Sequence, residues 1–138
     1  MDKQIILNRI RTPDGTILTS YYRHDYVTHI DSKNGLEYMC DGGLDYLRRN
    51  NHKEAPYEEL SVYSDEPFEI IRESFHRGGR GINGDQPLTW VAISKMNDNW
   101  LQATIEYNTK KGMEDTFATK MYIEEQEYRK LNNIKIDE

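Results

Sequence analysis

A single cysteine in 138 residues, Cys40, excludes an intramolecular disulfide, and four histidines beside that one thiol show no zinc-ligand spacing. No apolar run is long enough to cross a bilayer, and no basic segment followed by an apolar core opens the chain, so a soluble protein without membrane contact is expected. Basic residues are outnumbered 18 to 24, and the net charge of −6 opposes the positive field that nucleic-acid binding requires. Neither the dinucleotide fingerprint nor the P-loop spacing occurs, and there is no Gly-x-Ser-x-Gly elbow. These absences argue for a protein without cofactor, metal or catalytic residues.

What is present is aromatic mass. Ten tyrosines, three phenylalanines and two tryptophans offset a hydrophobic content of 36%, enough for one compact domain over residues 1–138. Turn chemistry at Pro13-Asp14-Gly15 and Asn34-Gly35 divides the first third into strands at about 4–11, 17–24, 25–31 and 36–40, with Asp41-Gly42-Gly43 closing this antiparallel meander. The polar stretch 50–56 reads as a surface loop. Helical spacing of Phe68, Ile71 and Phe75 predicts a helix over 64–77, capped by Ser64 or Asp65 and stopped by Gly78. A strand at about 88–93 separates it from helices running from Asn97 or Asp98 to Gly112 and over 116–132. The expected class is α+β, β-rich over 1–63 and helix-rich over 64–138.

Chemistry concentrates in Arg77-Gly78-Gly79-Arg80-Gly81. Glycine lets backbone N–H groups approach a ligand, and the guanidinium fork matches the paired oxygens of phosphate or carboxylate. A small anionic ligand is the functional expectation; a solvated flexible loop is the alternative. On the last helix, Phe117, Met121, Tyr128 and Leu131 share a stripe with Glu124 in its middle. That carboxylate either pairs with an arginine or tyrosine of a neighbouring helix or subunit, or accepts hydrogen bonds from a ligand whose ring rests on Met121 and an aromatic. Arg77, Arg80, Phe75, Met121, Glu124 and Arg23 are the candidate ligand-binding residues; Arg48 and Arg49 form a second basic point. His29 flanked by Asp25 and Asp31 is the one grouping from which a nucleotide hydrolase could be built, as general base or metal site.

Six short words, in order, carry a resemblance: Arg11-Thr-Pro-Asp-Gly-Thr16, Arg23-His-Asp-Tyr-Val27, Asp41-Gly-Gly-Leu-Asp-Tyr46, Tyr57-Glu-Glu-Leu-Ser-Val-Tyr-Ser-Asp65, Gly84-Asp-Gln-Pro-Leu-Thr-Trp90 and Glu127-Tyr-Arg129. Through them the whole chain resembles a family of small proteins carried by tailed bacteriophages, and in size and β-then-α order it is similar to the Thoeris anti-defence sponges. The resemblance implies a non-catalytic protein of the host cytoplasm that captures a cyclic ADP-ribose signal and forms a dimer or higher homo-oligomer. A rival expectation is an acidic phage protein that inhibits a host enzyme by direct contact, for which Glu58-Glu59 and Glu124-Glu125 supply charge.

Overall fold

The computed structural model describes residues 4–43, 46–50, 52–80 and 84–137, the side chain of Tyr46 excepted. Antiparallel strands followed by helices make it an α+β protein, as the turn and periodicity signals imply. Two compact units divide the chain between Phe75 and His76.

In the first unit, β1 (Ile5–Arg11) and β2 (Ile17–Ser20) form the hairpin set by Pro13-Asp14-Gly15, with Gly15 at φ 93°. A second sheet follows from β3 (Tyr26–Ile30), β4 (Glu37–Gly43) and β5 (Tyr46–Arg48), paired in that order. Two short strands, β6 (Glu58–Glu59) and β7 (Val62–Tyr63), pair with the other edge of β1. Ile10 and Leu18 pack on Tyr38 and Cys40, with Val27 and Tyr57 closing the cluster. The period of two explains the choice: along β4, Tyr38 and Cys40 point inward while Glu37 faces solvent.

Three boundaries depart from expectation. β2 stops at Ser20, because the Asp25 carboxylate accepts the N–H groups of Tyr21 and Tyr26 at 2.9 Å and folds 21–25 into a turn. Asp41-Gly42-Gly43 continues β4 rather than ending it. Helix α1 spans only Phe68–Ser74: Ser64 and Glu66 spend their side chains on the N–H groups of Gln4 and Tyr63, and Phe75 is already extended. The loop over 50–56 is found as a turn about His52–Ala55; Asn51 lies outside the described residues.

The second unit opens with a two-stranded ribbon, β8 (His76–Gly79) against β9 (Thr89–Ala92), then a short 3-10 turn at Ile93–Lys95. Helix α2 (Asp98–Lys110) is capped by Asn97, whose side chain accepts the Trp100 N–H at 2.8 Å; α3 (Phe117–Leu131) is capped by Thr116. Among the described residues no helix is long and apolar enough to cross a membrane.

Candidate functional site

The expected glycine loop is a strand through Gly79. Pairing sets Arg77 opposite Val91, Gly78 opposite Trp90 and Gly79 opposite Thr89, so backbone expected to cradle an anion is committed to a ladder. The two glycines answer to aromatic rings instead. A Cβ on Gly78 would stand 3.2 Å from Trp90 Cη2 and from Leu88 Cδ1, and one on Gly79 would stand 2.8 Å from Trp100 Cζ2. Alternation puts Arg77 and Gly79 on one face of the ribbon and Gly78 on the other, and Arg80 follows the strand. Gly81 lies outside the described residues.

Helix α3 also turns differently from its hydropathy. Its buried residues are Thr119, Tyr122, Glu125 and Arg129, whereas Glu124 is exposed and Leu131 is 82% exposed. The face toward the unit's interior is rotated by about one residue, roughly 100°, from the stripe of Phe117, Met121, Glu124, Tyr128 and Leu131. Polar pairing decides the phase. Asn108 Nδ2 donates to Thr119 Oγ1 at 2.8 Å, and the Arg129 guanidinium reaches Glu125 Oε2 at 2.7 Å, Asp98 Oδ1 at 2.8 Å and the Ile93 carbonyl at 2.9 Å. Hydropathy counts Glu125 and Arg129 against burial, yet together they are buried without an orphaned charge.

Tyr122, on this buried face, receives Arg77. The Arg77 Cζ sits 5.5 Å from the Tyr122 ring centroid, and Nη1 donates to the Tyr122 hydroxyl at 3.3 Å. Arg77 Nε is buried and has no acceptor among the described residues. Neither Arg77 nor Arg80 forms an ion pair with any described residue, and Arg80 is exposed. By contrast two other deeply placed arginines, Arg129 and Arg49, have a partner on each of their three guanidinium nitrogens. Arg129 has the three partners above, and Arg49 donates to Asn8, Glu59 and Ser61 while lying over the Tyr57 ring. Arg49 is thus an internal tether rather than a free basic point, and Arg48 pairs with Asp41 at 3.2 Å. Of the remaining candidates, Met121 is half-buried beside Tyr122 in sequence, and Glu124 faces away from the buried side.

Phe75 and Arg23 belong to the first unit. Phe75 is a core residue, 3% exposed, and Arg23 stands in the exposed 21–25 turn rather than on a strand. The grouping of His29 with Asp25 and Asp31 does not assemble. Asp25 is spent on its own turn, and Asp31 accepts the N–H groups of Asp14, Lys33 and Asn34. His29 Nε2 instead meets Asp14 Oδ2 at 2.8 Å, joining the tips of the two hairpins. The Ser32 backbone N–H, then His29 and Thr16, hold Asp14 far below the usual carboxylate range. Burial pushes Asp31 up, but the N–H groups of Asp14, Lys33 and Asn34, with the Thr12 hydroxyl, outweigh it and hold the carboxyl below its ordinary value. Burial raises the Cys40 thiol to about 11, which keeps it protonated and a poor nucleophile. No group of three or more acidic, histidine or cysteine side chains among the described residues is placed to hold a metal.

Sequence reasoning missed the Glu125–Arg129–Asp98 network, and it read Arg49 as a basic point where the structure has an internal tether. Arg129 and Glu125 stand four apart on a helix, and that spacing was the available signal. Comparison with protein-family models, curated proteins and solved structures finds no match.

Proposed function

We propose that this protein binds a small nucleotide of the cyclic ADP-ribose class and holds it without cleaving it. One observation carries the reading: Arg77 is pinned against Tyr122, yet among the described residues its buried Nε donor has no acceptor and the guanidinium has no carboxylate partner. A guanidinium in that condition favours an incoming oxyanion, because a charge-assisted hydrogen bond there replaces no existing one. The residue as a whole is half-buried, and in the proposed complex it turns to present that edge to a phosphate oxygen. Trp100 lies against Gly79, on the Arg77 face of the ribbon, and such an aromatic surface suits a nucleobase. Arg80, exposed just past the strand, adds a second cation for the ligand.

The resemblance to small proteins of tailed phages supplies the setting: capture of a defence signal in the host cytoplasm, where a bound signal lowers the free pool by mass action. Pairing of two copies around the ligand, giving a homo-oligomer, would bury more of it than one copy alone. Sequestration rather than hydrolysis is favoured because His29, Asp25 and Asp31 are turned to hairpin backbone and to Asp14. The test is to incubate the protein with a cyclic ADP-ribose produced by a bacterial TIR enzyme, remove free ligand, and heat the complex. Intact ligand in the supernatant is expected. A cleaved product would establish an enzyme, and no uptake would leave direct inhibition of a host protein as the better reading.

A further inference from the structure

The second unit contains a groove of about 500 Å³ between the start of α2, the end of α3 and the segment that follows α3. That volume is in the range of small-molecule sites. Its shape is set by the way α3 ends. Asn133 adopts φ 54°, the Ile134 N–H returns to the Arg129 carbonyl at 2.9 Å, and the chain doubles back as a Schellman cap. The returning segment is then tied to α2: the Asp98 N–H donates to the Ile136 carbonyl at 2.8 Å, and the Ile136 N–H donates to Asp98 Oδ2 at 3.2 Å. The groove is therefore walled by a fixed strap rather than by a loose terminus.

Most polar groups in its walls already have partners. Asp98 and Arg129 hold each other at 2.8 Å, and the Gln126 amide donates to Gln102 Oε1 at 2.5 Å while Gln102 donates on to Glu106. What remains is of one kind. Lys130 on α3, and Lys135 and Asn133 on the strap, offer N–H donors along the groove. Lys135 and the Asn133 side chain have no partner among the described residues. Among the described residues Lys130 has only Glu127, at 3.6 Å, with both side chains more than half exposed. Such a pair is weak and easily exchanged for a better acceptor. Lys130 and Lys135 line one groove from α3 and from the strap, and ammonium groups gathered in one groove repel each other unless an anion joins them.

We propose that this groove is a second binding site, for a small polyvalent oxyanion bridged between Lys130 and Lys135. Pyrophosphate and citrate share that chemistry and come from different sources, phosphate esters and polycarboxylates. Calorimetry with each at low salt tests the site. At least one is expected to bind, with affinity falling as sodium chloride rises, and the double variant K130A/K135A should lose tenfold or more. Both lysines are exposed, so that variant keeps the fold, which its circular dichroism checks. In the R77A/R80A background, which removes the site proposed above, binding of the probe should persist and should be lost when K130A/K135A is added, which separates the two sites. The inference is overturned if neither probe gives heat, if K130A/K135A binds unchanged, or if only R77A/R80A loses binding.

Discussion

Arg129 Nε stands 2.7 Å from Glu125 Oε2, with Glu125 fully buried and Arg129 only 4% exposed, one helical position away from the carboxylate that hydropathy singles out. Removing one partner of such a pair strands the other. Glu125→Ala should therefore lower the unfolding free energy by about 3–5 kcal/mol, whereas Glu124→Ala should stay within about 0.5 kcal/mol of the parent protein. Urea titration of both variants checks this, and similar losses would mean the phase of α3 is wrong.

Gly79 is confined by Trp100 rather than by backbone conformation. Gly79→Ala places a methyl group 2.8 Å from the indole and should destabilise by about 1–3 kcal/mol through overpacking. Combining it with Trp100→Leu should recover part of that loss, since residues in contact couple. Strictly additive effects would contradict the contact.

Cys40 should not react with an aromatic disulfide reagent at pH 8 while the protein is folded, because its thiol is buried and titrates near 11. It should react fully in denaturant. Rapid labelling of the folded protein would show that the Ile10–Leu18–Tyr38 cluster does not cover it.

Much of the fold was legible in the sequence, for physical reasons that also mark the limit. The turns at Gly15 and Gly35 and the cap at Asn97 were readable because each depends on a few neighbouring atoms. Strands β5 to β7 were not, being two or three residues long and held by pairing with a distant β1 or β4. The site was only partly readable. Arg77 and Arg80 stood out by charge in a glycine-rich stretch, but composition does not reveal that Gly78 and Gly79 accommodate Trp90 and Trp100. Nor does hydropathy foresee that Arg129 and Glu125 neutralise each other well enough to be buried.

Acid should weaken the first unit. Asp14 and Asp31 are held below the unfolded carboxylate value near 4, so their contribution is complete above that value and is lost as pH falls toward the folded values. The urea midpoint should decline steadily below about pH 4, and Asp14→Asn should flatten that decline. An identical acid slope in the variant would remove Asp14 from the linkage.

The most direct test of ligand capture is calorimetry of the protein and of Arg77→Ala with a TIR-derived cyclic ADP-ribose. Saturable binding that weakens by about 1–3 kcal/mol in the folded variant is the predicted result, the loss expected for one charged hydrogen bond. No heat beyond dilution, or equal affinity in both proteins, would contradict it.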